Sequence, residues 1–315
     1  VGKIYSFLLI VAIIFWVPIC GAAQDTSGQE ASTEQPQATE ATNTTGPTAF
    51  AQVVGKRSNL GTVYNAAIGV GYNITEHVGG DIGVSLYTVQ SPFSAISTKD
   101  WNWTTLAGDP FVDLRYTRKF YNLNVTSVLT GTIPISSAER VFTTGRFGVD
   151  WYNHVSTSFG GFKPFVNFGG ANETVDRYIF PRPYNIARPY QIYGANANGE
   201  AGASFTLMKH YSVGASAYGI MPFGRQKVFS RLVTPNSSIS GDANHYRYWN
   251  KAFETIGNSD LGRDNGYSGW VDVTRFKHLT VEAGYTYSVH YRWGSAYLML
   301  RFDGTSLIRF LTATE

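Results

Sequence analysis

Residues 279–291 read LTVEAGYTYSVHY. Leu279, Val281, Ala283, Tyr285, Tyr287, Val289 and Tyr291 fall on one side of this stretch, and Thr280, Glu282, Gly284, Thr286, Ser288 and His290 on the other. Strict period-two alternation marks a β-strand. The run exceeds the roughly 5–6 residues of a typical globular strand and meets the roughly 9–11 that a transmembrane β-strand needs. An apolar face with tyrosines near its ends, backed by a small polar face, suits a strand between lipid and a wet lumen.

The same pattern recurs on both sides of that stretch. Tyr64, Ala66, Ile68, Val70 and Tyr72 share a face, as do Val78, Gly80, Ile82, Val84 and Leu86. Phe147, Val149 and Trp151 oppose Arg146 and Asp150, and Ala296, Leu298, Leu300 and Phe302 oppose Arg301. The connections alternate in length. Short turns are expected at Thr75–His77, Phe120–Asn122, Asn153–Ser158, Lys209–Tyr211 and Lys277–His278. Long ones are expected near residues 90–107, 170–198 and 223–265, with shorter versions at Ser136–Glu139 and Arg292–Gly294. Short turns on one rim and long loops on the other characterise an outer-membrane barrel. The similar stretches that follow Lys209 and Lys277 form a weak hairpin repeat. Eleven segments run from Thr62 to Phe302, and Phe50–Lys56 supplies the one that makes the number even. The fold expected is all-β, a closed antiparallel transmembrane β-barrel of twelve strands, with ten as the alternative.

Composition agrees. Charged residues are 15% of the chain and aromatics 15%, with 33 glycines; soluble domains carry about 25% charge. Net charge is +3, too small to argue for nucleic acid. Residues 1–23 have the form of a secretory signal peptide: Lys3, an apolar run over Ile4–Val17, and Gly21-Ala22-Ala23 before the cleavage point. Residues 24–49, rich in Ser, Thr, Gln and Glu, read as a disordered polar linker. The barrel is expected over 50–303 and a C-terminal tail over 304–315. Cys20, the single cysteine, lies in the leader, so a mature chain has neither disulfides nor cysteine-based metal sites.

The chain resembles bacterial outer-membrane β-barrel proteins of mid-sized, porin- or transporter-like type, from Gram-negative bacteria. The resemblance covers Phe50–Phe302 and rests on pattern. It implies location in the outer membrane, contact with the lipid bilayer and lipopolysaccharide, and delivery by the outer-membrane insertion machinery. Such proteins end on an aromatic residue read by that machinery; Phe302 or Phe310 stands in that place here, with residues continuing to Glu315.

Candidate lumen-lining residues are Asp81, Asp113, Arg115, Arg146, Asp150, Lys163, Glu200, Asp272, Glu282 and Arg301. Their mixed signs argue against strong ion selectivity. Candidate recognition residues in the long loops are Arg177, Tyr178, Arg182, Tyr184, Arg188, Tyr190, Arg247, Tyr248 and Trp249, an Arg–Tyr mixture suited to sugars, phosphates or a protein surface. No cofactor or metal is expected, since no HExxH spacing or phosphate loop is present; the glycines between alternating residues serve curvature and close strand packing. The function expected is passive passage of small solutes through a narrow, loop-restricted lumen, without catalysis. One alternative is a non-conducting barrel displaying its loops for adhesion or recognition. Another is a membrane-embedded hydrolase (lipase, lipid A deacylase or omptin-like) using Ser288 and His290 with Glu282, although no diagnostic motif supports it. The oligomeric state is not legible.

Overall fold

The computed structural model describes residues 45–58, 61–90, 104–135, 145–174, 190–230, 253–257, 262–276 and 278–305. In these residues the chain forms β1 (Gly46–Ser58), β2 (Gly61–Asn73), β3 (Val78–Gln90), β4 (Thr104–Ala107), β5 (Phe111–Phe120), β6 (Leu123–Thr132), β7 (Gly148–Ser156) and β8 (Phe162–Thr174). Then follow β9 (Tyr190–Met208), β10 (Tyr211–Pro222), β11 (Gln226–Ser230), β12 (Phe253–Gly257), β13 (Asp264–Phe276), β14 (Leu279–Ser288) and β15 (Trp293–Asp303).

Twelve of these strands close a ring: β1-β2-β3-β5-β6-β7-β8-β9-β10-β13-β14-β15 and back to β1, every neighbour antiparallel. Closure runs through Phe50–Ser58 of β1, paired with Ser295–Asp303 of β15. That pairing decides for twelve strands over ten, because the first pair is in the wall. The remaining strands extend the sheet at the long-loop rim. β4 continues the sheet beside β3, while the upper end of β9 pairs β11, which pairs β12.

Both ends of the barrel sequence, Gly46 and Asp303, sit on the short-turn rim. There the Gly304 N–H donates to Ala49 O at 2.9 Å. The tightest turns use left-handed residues other than glycine, Tyr121 (φ 54) and His278 (φ 65). Several expected boundaries move. Residues 46–49, assigned to the linker, belong to β1. The turn expected at Asn153–Ser158 lies later, because β7 runs through Ser156. The loop expected over 170–198 is narrower, with β8 reaching Thr174 and β9 starting at Tyr190. The loops expected over 90–107 and 223–265 contain β4, and β11 and β12, respectively. In β1, β8 and β9 the backbone pairing extends past the point where side-chain alternation becomes too polar to read, while β4, β11 and β12 are too short for alternation to mark them.

The burial pattern is that of a membrane barrel. Outward-facing Ile68, Val70, Ile82, Val84, Leu114, Leu207 and Leu298 are exposed, while inward-facing Gln52, Asn65, Asp81, Asp113, Glu200, Thr286 and Ser288 are buried. An apolar exterior over a polar interior is stable only with lipid outside, and a ring of strands with no edge leaves no unpaired backbone in the bilayer. A charge placed on the outer face, as in Leu114→Arg, is therefore expected to cost about 2–4 kcal/mol if it lies near the midplane. Denaturant unfolding from lipid vesicles, compared with Leu114→Ala, measures it.

Candidate functional site

The inner wall is the candidate site, and its construction starts with glycine. Around the barrel, a large inward side chain faces a glycine directly across a strand pair: Phe50 and Gly69, Gly83 and Phe111, Phe165 and Gly202, Gly214 and Trp270, Tyr218 and Gly266, Gly284 and Tyr297. A Cβ on any of these glycines would run into the ring opposite it. The rings therefore lie down along the wall over the space the glycines leave, instead of standing into the lumen. Laid flat, they meet one another: Phe50 and Phe111 at 6.3 Å between centroids, Phe165 and Trp270 at 6.1 Å. Such pairs contribute about 0.5–1.5 kcal/mol each beyond area burial.

Smaller side chains use the same gaps to hydrogen-bond past an intervening strand. Gly71 separates Thr48 from Asp81, and the Thr48 hydroxyl donates to Asp81 Oδ1 at 2.8 Å. Arg115 Nη1 donates to Asp81 Oδ2 at 3.0 Å, and its Nη2 to Asn73 Oδ1 at 3.0 Å. The Thr130 hydroxyl donates to Asp113. Further round, His154 Nδ1 faces Asn167 Oδ1 at 2.6 Å, Asn167 Nδ2 donates to Glu200 Oε2 at 2.9 Å, and Ser216 donates to the other Glu200 oxygen. On β13 and β14, Ser212 donates to Asp272 Oδ2 at 3.1 Å, Tyr297 to Glu282 Oε1 at 2.7 Å and Ser288 to Asp264 Oδ1 at 2.6 Å.

Eight of the expected lumen residues, Asp81, Asp113, Arg115, Asp150, Glu200, Asp272, Glu282 and Arg301, are inward and buried. Arg146 is exposed in the bend before β7, and Lys163 is half-buried near the start of β8. Among the described strand residues, three further charged side chains buried in the inner wall, Lys56, Glu173 and Asp264, are absent from the sequence-based set. Lys56 continues the alternation Gln52, Val54, Lys56 and was readable from it. Glu173 and Asp264 fall in stretches that the sequence assigns to loops. Glu173 accepts from the Thr132 hydroxyl at 2.6 Å, past Gly148.

Of the expected recognition residues, Arg177, Tyr178, Arg182, Tyr184, Arg188, Arg247, Tyr248 and Trp249 lie outside the described residues. Tyr190 is not in a loop but opens β9, opposite Ser230.

The hydrolase grouping is not assembled. β14 ends at Ser288, so His290 lies in the turn beyond it, exposed and edge-on to Tyr291 at 4.7 Å. Glu282 is six residues down the strand from Ser288, about 20 Å away at strand rise. The Ser288 hydroxyl is engaged by Asp264, and the Tyr291 N–H donates to Ser288 Oγ at 3.1 Å.

Neither a protein-family model nor a curated protein sequence matches this chain. Solved structures do. An outer-membrane channel from Pseudomonas putida aligns over 86% of this chain and 100% of its own, with TM-score 0.51 and 9% identity. The KdgM porin, solved with disordered oligogalacturonate, aligns over 80% and 98% with TM-score 0.44 and 8% identity. The NanC porin aligns over 81% and 98% with TM-score 0.41 and 8% identity. The fold is that of an outer-membrane β-barrel. At these identities the likeness is one of fold.

The Asp81–Arg115 pair is buried on both sides, so Arg115→Leu strands a carboxylate in the wall. The expected loss is about 3–5 kcal/mol, and Asp81→Asn in the same chain should restore part of it. A double-mutant cycle of denaturant midpoints measures this. Gly214→Val should drive Trp270 off its seat, at a cost of about 1–3 kcal/mol for overpacking. Gly219→Val, on the same strand but with nothing within 4 Å of the added Cβ, should be nearly neutral by the same assay.

Proposed function

We propose that this protein is a passive outer-membrane channel for small solutes, with a narrow lumen restricted by its long loops. One observation carries the reading. Each strand of the ring gives its polar face to the inside, and the bulkiest inward rings lie flat on glycine seats. A barrel selected only for stability would do better with an apolar packed core, because buried polar groups contribute little net and cost much when unpaired. Twelve strands also fall between the about 8 whose side chains fill a barrel and the 16–18 that leave a wide aqueous channel, which suits a narrow bore.

In this reading residues 1–23 direct export, 24–45 tether the barrel, and the insertion machinery places it among outer-membrane lipids and lipopolysaccharide. The Arg- and Tyr-rich segments around residues 177–188 and 247–249 meet solutes or surface partners first. A second reading, a non-conducting barrel that displays its loops, draws on a different observation. The inward side chains are closely buried, and β9, β11 and β12 carry the sheet beyond the ring.

Conductance in planar bilayers separates the two. The purified protein should give steady single-channel currents, larger after deletion of Arg177–Arg188. Silence in both forms, with folding verified by circular dichroism and heat-modifiable gel mobility, assigns the barrel to display.

A further inference from the structure

The charges of the inner wall are not evenly mixed. Over the six strands β7, β8, β9, β10, β13 and β14, Asp150, Glu173, Glu200, Asp264, Asp272 and Glu282 are all inward and buried. Among the described inward residues of those strands, the only cationic side chain is Lys163, half-buried near the short-turn rim. The buried inward cations Lys56, Arg301 and Arg115 lie in the other half, on β1, β15 and β5, where Asp81 and Asp113 accompany them. Arg115 is paired with Asp81 at 3.0 Å, and the Arg301 guanidinium lies 6.0 Å from the Phe50 ring centre, within the field of Asp81, Asp303 and, on neighbouring β14, Glu282. Among the described inward residues carboxylates thus outnumber cations, and one half of the wall is mostly acidic.

A second feature points the same way. Asp272 and Glu282 stand directly opposite one another across β13 and β14. Like charges so placed repel, with Cβ atoms about 4.5–5.5 Å apart. Ser212 and Tyr297 donate hydroxyl hydrogen bonds to them. Hydroxyl donors solvate a carboxylate without cancelling its charge; Glu282 also shares the field of Arg301, and it is the excess of carboxylates among the described inward residues that keeps the potential of the wall negative. A low-dielectric surround of lipid and protein focuses that potential along the bore.

We infer that the lumen selects for cations: small inorganic and organic cations pass in preference to anions of the same size, and the β7–β14 half-wall sets the preference. The inference rests on the channel reading above. It also revises the expectation of weak selectivity, since two cations, Arg146 and Lys163, leave the middle of the wall, while one cation, Lys56, and two carboxylates, Glu173 and Asp264, join it.

The test is the reversal potential of the purified full-length protein in a planar bilayer under a potassium chloride gradient. A cation-selective sign is expected, and Asp272→Asn with Glu282→Gln should move it toward zero. Glu200→Gln, on a separate part of the wall, should shift it in the same direction, and serves if the double variant fails to fold. A reversal potential at zero or of anion-selective sign in the unaltered protein overturns the inference while leaving the channel intact. Absence of conductance from a folded barrel overturns the channel reading and this inference with it.

Discussion

Everything in this molecule depends on the hydrogen-bonded seam between its first and last strands. In a bilayer an unpaired N–H or C=O costs several kcal/mol, and an open twelve-stranded sheet would expose two full edges of them. The pairing of Phe50–Ser58 with Ser295–Asp303 removes both edges at once. Once the ring is closed, side-chain direction is fixed for every strand, because each register step turns alternate residues to lipid or lumen. The apolar exterior and the charged interior are two outcomes of that one closure.

Closure creates a second problem, which glycine solves. A ring of twelve strands curves inward, so side chains on its concave face crowd together. Placing a glycine opposite six of the large inward rings lets Phe50, Phe111, Phe165, Tyr218, Trp270 and Tyr297 recline along the wall. The same gaps let Thr48 reach Asp81 and Thr132 reach Glu173 past a strand that contributes no side chain. The polar network and the aromatic lining are therefore built by one device. The charged groups it holds keep their hydrogen bonds without needing to stand free in the lumen.

Much of this was legible before any coordinates. Alternation in Leu279–Tyr291 identifies a membrane strand, and parity together with the short turns requires an upward strand at Phe50–Lys56. Strand ends were harder. Gly170–Thr174 and Tyr190–Asn198 look like loop because small and amide residues, glycine, alanine and asparagine, make up more than half of them, yet those residue types are what a polar lumen face accepts. Glu173 was lost for that reason, and Asp264 because it opens β13 at the end of a long polar stretch. The Ser288–His290 pairing failed on the opposite error, an alternation carried two residues past the end of β14. Glycine seating was invisible because it depends on which residues stand opposite across strands, and register is not written in a single strand. The ring follows chain order, so angular position was readable; the acidic half-wall was hidden because Arg146 and Lys163 were counted in it while Glu173 and Asp264 were left out.

The seam has a consequence for how the protein comes into being. Its two halves are the most distant parts of the barrel sequence, so no prefix of the chain can complete the ring. A chain that stopped at β14 could form at best a sheet with two raw edges, one of them lacking its partner strand. Such an intermediate is sticky by the same chemistry that will later seal it. The order of manufacture thus requires that the chain be kept apart from itself and from its neighbours until its final residues have been released, and only then allowed to meet lipid.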